Sequence, residues 1–563
     1  MTSRELREKF LSFFEKKRHK IVPSSSLLPV DPSVLFTTAG MQQFKPYFLG
    51  EKSPYGPNVA SCQKCFRTSD IDEVGDEDHL TFLEMLGNFS FGEYFKEEAI
   101  KLAYEFLFQE LKLPLDEAVF TVFGGDPSTI SGRGAVPEDK DSAEIWKKIG
   151  IPEKKIKKYG REDNFWGPTG EEGPCGPTAE IYIKGVEVWN LVFNEYYQDK
   201  DRKLAPLKQE GVDTGMGLER LAMIVQGKSS VFETDLFSPI INEISGESEK
   251  ARRIIADHIK SSVFLIAEGI LPSNVERGYV LRRVLRRAIR YGKLLNLPKK
   301  FLIPLAQKVI EIYQDEHPEV KSKETDILTV IQNEEEKFEK TLTEGLKRFE
   351  KVILQGEING QDAFHLFDTY GFPLELTEEL AKERGLKLDK KGFQRAFEKH
   401  REISRAGAEA KFGGVGKEAD YESAKLHTAT HLLHAALRKV LGEGVKQMGS
   451  DITSQRLRFD FSYPEKMTPE QIKEIEGLVN QKIKENLEVK KEEMDYEEAI
   501  AAGALAFFKE KYPEKVTVYS VNNFSKEICA GPHVKRTGEL GHFEIIKEES
   551  SGAGIRRIRA IFK

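Results

Sequence analysis

Only four cysteines and three tryptophans occur in 563 residues, which is too few thiols for a disulfide framework and fits a reducing compartment where cysteines stay available to metals. No apolar run approaches the roughly 20 residues that a bilayer-spanning helix requires, and the first residues, Met1-Thr2-Ser3-Arg4-Glu5, lack the layout of a secretory signal. A cytoplasmic protein with no membrane partner is expected. Basic residues are not in excess either: 85 Lys and Arg stand against 92 Asp and Glu, a net charge of -7. That excludes binding to nucleic acid through overall charge, but not through a local basic surface. Internal repeats, heptad arrays and low-complexity tails are also missing, which removes solenoids and coiled coils. What remains is a mixed, globular sequence of about three or four domains.

The texture changes along the chain. Thr2-x-x-Glu5 ahead of Leu6, Phe10, Phe13 and Phe14 reads as a capping box opening an amphipathic helix that ends near His19. Pro, Gly and short apolar runs then alternate as far as residue 243, the pattern of a mixed α/β domain rich in antiparallel sheet. Residues 244–411 are long, charged and helical, as in Ala251 to Ala267, Tyr279 to Leu295 and Glu324 to Leu354. A stretch of small residues and glycines from Arg405 to Gly416 supplies a linker, placed at 412–420, before a last domain over 421–563. The loop Gly124 to Asp141 is expected to be an exposed excursion.

Near the end, two short segments each set metal-ligand residue types four apart: His427 with His431, and Cys529 with His533. On a helix, positions i and i+4 share a face, so the two histidines can reach one cation, and the second pair completes a tetrahedral zinc set. Pro532 argues against continuous helix around His533, so that pair is expected to approach from a turn. Taken alone, the set points to a zinc hydrolase. Cys62-x-x-Cys65 has the spacing of half a zinc knuckle, but no second pair follows and Cys175 is remote, so structural thiols on a strand are expected there.

Two segments of the N-terminal half carry phosphate and nucleotide chemistry. Cys65 to Asp70, a polar loop to Asp78, and His79 to Phe89 read as strand, long loop, strand. Arg67, leaving the first strand, could grip an ATP α-phosphate as a carboxylate attacks it. In Val212-Asp213-Thr214-Gly215-Met216-Gly217-Leu218-Glu219-Arg220 the glycines allow a close approach to a ligand, and Arg220 could lie over an adenine face. Further on, Arg282, Arg283, Arg286, Arg287 and Arg290 recur at i, i+1, i+4, i+5 and i+8, a basic helical stripe suited to following a phosphate backbone.

With Phe36-x-x-Ala39-Gly40-Met41, Glu84 to Gly92, Asp163-Asn164-Phe165-Trp166 and Trp189 to Phe193 in the same order, the chain resembles the alanyl-tRNA synthetase family of class II aminoacyl-tRNA synthetases over essentially its whole length. The Arg67 strand with its partner resembles motif 2, and Gly-Met-Gly-Leu-Glu-Arg resembles motif 3. The resemblance implies a multidomain α/β fold: a class II antiparallel-sheet catalytic domain, a helical tRNA acceptor-stem domain and an α+β zinc-containing editing domain. It implies that Arg67, Phe82 and Arg220 bind ATP together with Mg2+, that Asp213 pairs with the α-ammonium of L-alanine, and that Trp166, Asn190 and Val192 wall its methyl group. On the same resemblance, Arg67, Asp213 and Arg220 would form the catalytic set. Asn274 and Asp368 match positions that read a G·U pair in the acceptor stem of tRNA(Ala), where an amide and a carboxylate can probe a shallow minor groove.

The resemblance also gives the zinc ligands a task. One missing methylene-sized group yields only ~1 to 3 kcal/mol of discrimination, so a pocket for alanine excludes glycine poorly, and serine too, and a second hydrolytic site answers the problem. His427, His431, Cys529 and His533 match the ligands of one Zn2+ in the family's editing domain, with Gln447, Arg456 to Phe461, Arg536 to Gly541 and Gly552 to Arg557 as companions. The ion would either orient the misacylated 3′ end or lower the pKa of a bound water. The β-barrel usual between the helical and editing domains is absent, and so is the usual C-terminal extension, which implies a reduced, monomeric enzyme whose editing hangs from a different linker. A silent homologue that only binds RNA, and a deacylase with an idle N-terminal domain, are the competing readings. Both need a damaged ATP site, whereas Arg67, Asp213 and Arg220 are all present.

Overall fold

The computed structural model describes residues 1–126, 135–354, 356–400, 421–453, 456–463, 465–506, 515–529, 531–552 and 555–563. They divide into two compact units: Met1–Gly356 with His365–Leu386, and Glu357–Phe364 with Lys387–Lys563. The expected linker at 412–420, and the Arg405 to Gly416 stretch that contains it, lie outside the described residues, as do the middle of the Gly124–Asp141 loop and Ala553-Gly554.

The first unit opens as its sequence dictates. Thr2 Oγ1 accepts from the Glu5 amide and the Glu5 carboxylate accepts from the Thr2 amide, starting a helix over Ser3–Lys16. Its buried face presents Phe10 and Phe14 to Phe106 and Trp189. At about 25 cal/mol per Å² of apolar surface, each such phenylalanine contributes roughly 2 to 3 kcal/mol.

That helix covers a nine-stranded sheet. Its strands are β1 (Lys20–Ile21), β2 (Asn58–Phe66), β3 (Phe82–Phe91), β4 (Ala118–Phe123), β5 (Ile156–Tyr159), β6 (Phe165–Trp166), β7 (Gly173–Ile183), β8 (Val186–Gln198) and β9 (Leu204–Gly217). They run in the order β1-β2-β3-β9-β8-β7-β4-β5, with β6 paired to β7, and are parallel only at the two edges. Register decides what reaches the site. Thr178, Val192 and Asp213 are cross-strand partners on β7, β8 and β9, and so are Glu180, Asn190 and Gly215. Side chains alternate along a strand, so these six positions share one face. Trp189 and Leu191 point the other way, into the core.

The helical part of this unit holds Glu249–Ala267, Glu276–Leu294, Leu302–Tyr313 and Glu324–Ile353. Helix Glu249–Ala267 is buried over most of its length although it carries polar residues, with Asp257, His258, Lys260, Ser261 and Ser262 inside along with its apolar side chains. It starts at Ser248, whose side chain accepts from the Ala251 amide, and is followed by Gly269 with φ +89°.

In the second unit, the helix Tyr421–Leu441 packs with the helix Pro469–Lys484 and a four-stranded antiparallel sheet. The sheet comprises β10 (Gln447–Ile452), β11 (Leu457–Ser462), β15 (Phe543–Gly552) and β16 (Ile555–Phe562) in the order β10-β11-β16-β15. A second sheet pairs β12 (Val489–Asp495), β13 (Lys515–Val521) and β14 (Ser525–Ile528). Leu432, Leu433, Leu437, Phe459, Phe461, Ile475 and Val479 fill the core between helices and sheet. Among the described residues no helix is long and apolar enough to cross a membrane.

Candidate active site and metal centre

The shared face of β7, β8 and β9 borders a cavity of about 570 Å³ lined by Arg67, Trp166, Asn190, Val192, Asp213 and Arg220, six residues expected to meet ATP and alanine. Their positions follow from the elements that carry them. Arg67 stands just past the end of β2, Trp166 on the short β6, and Arg220 in the first turn of the helix Leu218–Val225. Arg67 Nε donates to the Thr38 carbonyl at 3.3 Å, and Arg220 lies 3.4 Å from both the Asp78 and Glu187 carboxylates. Asp213 is different, having no ion pair among the described residues. Burial alone pushes its carboxyl up to about 7. Gly215 packs close to β3: a β-carbon there would sit 3.0 Å from Met85 Sδ, so the methionine would have to give way. Glu219 accepts from the Lys260 ammonium at 2.6 Å and from the Glu84 amide, which fixes the start of its helix against β3.

Phe82 requires a correction. Its ring is fully buried and stacks on Phe264 at 3.9 Å and 12°, and it does not line the cavity. Leu83 and Met85 of β3 face the cavity, so alternation turns Phe82 toward the helix Glu249–Ala267. Glu180 and Glu187 were not legible as site residues, yet both line the cavity. Glu180 meets Asn190 only through the β7–β8 register.

The arginine stripe is a second correction. Arg286, Arg287 and Arg290 are 2%, 4% and 6% exposed, and carboxylates from later in the chain take up their charge. Arg286 contacts Glu334 at 2.5 and 2.6 Å and donates to the Gly371 carbonyl. Arg287 meets Glu379 at 2.8 to 3.2 Å, and Arg290 pairs with Glu383. Arg283 reaches Asp72 at 2.7 Å, and Arg282 lies 3.8 Å from Glu334. A buried guanidinium needs such partners, so these side chains knit the unit together and present no free stripe to a phosphate backbone. Asn274, in the turn before the helix Glu276–Leu294, and Asp368, on the helix Gly360–Tyr370, are both exposed.

In the second unit, His427, His431, Cys529 and His533 converge, each offering one ligand atom within 4.8 Å of the others. The histidine pair lies on the helix Tyr421–Leu441, while Cys529 and His533 follow β14 outside any helix, the approach expected from Pro532. The donor set fits zinc in chemistry and in orientation. His431 Nδ1 is held 2.9 Å from Glu527, and His533 Nδ1 is 3.2 Å from Thr428 Oγ1, which leaves Nε2 of each ring for a metal. His427 Nε2 lies 3.4 Å from Cys529 Sγ, and His533 Nε2 is buried without a partner. Burial opposes ionisation of Cys529, but the close histidines, His427 first and then His431 and His533, overcome it and hold the thiol down to about 3. Glu527, which sequence reading missed, also lies 2.9 Å from His434 Nδ1, and despite burial the nearby His431 holds its carboxyl down to about 2. The loop can come this close because residue 531 is glycine: a β-carbon there would lie 1.9 Å from His427 Cε1. Gln447 is half-buried on β10, its Nε2 donating to Ser450 Oγ at 3.2 Å. Cys62 and Cys65 are strand thiols on β2, outside every metal-type cluster among the described residues.

A family model described as "tRNA synthetases class II (A)" matches residues 5–440, and one described as "Threonyl and Alanyl tRNA synthetase second additional domain" matches residues 516–559. The antiparallel sheet and its cavity are those of a class II aminoacyl-tRNA synthetase. The chain is 48% identical to the alanine-tRNA ligase of Borrelia hermsii (strain HS1 / DAH), covering 99% of both, and 47% identical to that of Treponema pallidum (strain Nichols), covering 99% of this chain and 98% of the relative. It belongs to the alanine-tRNA ligase family. The ligase of Thermotoga sp. (strain RQ2) is 41% identical over 705 aligned positions that take in 100% of this chain and 80% of the relative. Since the chain has 563 residues, that relative carries internal segments missing here, in keeping with a shortened form.

Proposed function

We propose that the cavity of the first unit activates L-alanine with ATP and passes the alanyl group to the 3′ end of tRNA(Ala), and that the second unit hydrolyses Ser- or Gly-tRNA(Ala). The observation that carries the first half is the convergence of five residues, Arg67, Trp166, Asn190, Val192 and Arg220, on one cavity with the buried Asp213 carboxylate, which has no ion pair among the described residues. Asp213 receives the α-ammonium, while Trp166 and Val192 enclose the methyl group. The alanine carboxylate attacks the α-phosphorus, the bond to pyrophosphate breaks, and Arg67 and Arg220 hold the charge that develops, with Mg2+ accompanying the nucleotide. The exposed Asn274 and Asp368 are the readers of the G·U pair.

His427, His431, Cys529 and His533 hold one Zn2+, beside which Gln447 belongs to the editing site. Bound there, the ion supplies Lewis acidity or a fixed point for the misacylated 3′ end. Functionally the chain divides into an aminoacylation domain over 1–243, an acceptor-stem domain over 244–411, a linker and an editing domain over 421–563, acting as a cytoplasmic monomer. Alanine-dependent ATP–pyrophosphate exchange, followed by charging of tRNA with and without the G·U pair, tests the ligase reading; an absence of exchange with alanine refutes it. Replacing His427 and Cys529 together tests the editing reading: Ser-tRNA should accumulate while alanine activation persists.

A further inference from the structure

Asn190 alone is an ambiguous partner for an ammonium group, because half a turn of its amide exchanges a donor for an acceptor. Its surroundings remove the ambiguity. Asn190 Nδ2 donates to Glu180 Oε1 at 3.0 Å, directly across the β7–β8 ladder, and Oδ1 is buried with no hydrogen-bond partner among the described residues. The other oxygen of Glu180 accepts from the Tyr182 hydroxyl at 2.9 Å and the Thr121 hydroxyl at 3.4 Å. Whenever that carboxylate is ionised it only accepts, so a flipped amide would then set two acceptors face to face. Two hydroxyl donors on the far oxygen keep the carboxylate itself from swinging away.

We infer that Glu180 is a positioning residue for selection of the substrate's amino group: it locks Asn190 so that Oδ1, together with the Asp213 carboxylate, accepts from the α-ammonium of alanine. The inference rests on the reading of Asn190 as an alanine contact. Its selectivity is for charge and donor count. An α-ammonium offers three N–H donors to two fixed acceptors, whereas a 2-hydroxy acid offers one donor and leaves a buried acceptor unmet.

The test is alanine-dependent ATP–pyrophosphate exchange by the full chain and its Glu180→Ala, Glu180→Gln, Asn190→Ala and Glu180→Ala/Asn190→Ala variants. Loss of the lock should raise KM for alanine about tenfold or more in Glu180→Ala, the scale of one charge-assisted hydrogen bond, with KM for ATP within about twofold. The double variant should be no worse than Asn190→Ala, because Glu180 acts only through that amide. Additive effects of the two substitutions, or equal rises in both KM values, would overturn the inference in favour of a general structural role. Glu180→Gln keeps the volume but adds a donor able to pair with a flipped amide, so it should show the same coupling should Glu180→Ala not fold; additivity there overturns the inference equally. If Asn190→Ala leaves KM for alanine unchanged, the underlying reading fails, and with it the inference. If Asn190→Ala raises KM while both Glu180 variants are silent, the inference alone fails.

Discussion

Arg287 spans the Glu379 carboxylate at 2.8 to 3.2 Å while another of its nitrogens donates to the Ile71 carbonyl at 2.7 Å. One buried side chain thus ties the loop that follows Arg67 to the helix Leu374–Glu383. Arg287→Gln leaves Glu379 without its main counter-charge, and breaking a buried pair of this kind costs about 3 to 5 kcal/mol. Denaturant unfolding should show that loss. The slope of log Kd for tRNA against log salt should stay where it is; a fall of about one in that slope would mean that Arg287 touches a phosphate after all.

Alanine affinity should depend on pH. The Asp213 carboxyl is raised to about 7 by burial, above its unfolded value, so folding makes it hold its proton and deprotonation costs stability as pH rises toward 7. An incoming ammonium favours the ionised form. KM for alanine should therefore fall about tenfold per pH unit on rising toward 7 and level off above it, with a proton released on binding. Glu180, raised to about 7 by burial and by Glu187, titrates in the same window and acts in the same direction. Glu180→Gln should keep the part of the slope that Asp213 supplies, whereas Asp213→Asn should remove that part and leave only what Glu180 contributes. A flat profile in the parent chain would remove Asp213 from the ammonium site.

How far the sequence carried this picture depends on separation along the chain. The Thr2–Glu5 cap and the His427/His431 pair lie within one helical turn or so, and both are legible because local geometry alone brings their atoms together. Motif likeness brought Arg67, Asp213 and Arg220 together, and all three line the cavity. The fate of the arginines was not, because Glu334, Glu379 and Glu383 arrive from 48 to 93 residues away. Phe82, on strand β3, was misread for a similar reason, since its stacking partner Phe264 sits on the distant helix Glu249–Ala267. Glu180 and Glu527 depend on strand register and on packing against a distant helix, which residue types alone do not encode.

Glu527→Gln should weaken metal binding by about 10- to 100-fold, the usual effect of losing a carboxylate that orients a ligating histidine. Competition with a chromophoric chelator measures this directly, and the cobalt-substituted protein should show an altered visible spectrum. Unchanged affinity would mean that the 2.9 Å contact with His431 only packs the core.

Gly531→Ala should be more severe. The added carbon would lie 1.9 Å from His427 Cε1, so either the loop or the histidine must retreat and the ligand set opens. Metal content after dialysis should drop below that of the parent chain. Retention of one equivalent at parental affinity would show that the loop reaches the ion by another path.

The ligands come from one helix and a loop far downstream: His427 and Cys529 are 102 residues apart. An ion held by both closes a circuit of that length, and a permanent covalent link of similar span is worth about 4 to 5 kcal/mol. This link is reversible, so each tenfold rise of free metal above the dissociation constant adds about 1.4 kcal/mol to the unit that holds it. If that ion is the zinc proposed above, the editing unit alone would lean on it, and a cell starved of zinc would go on charging tRNA while its check on serine slackened.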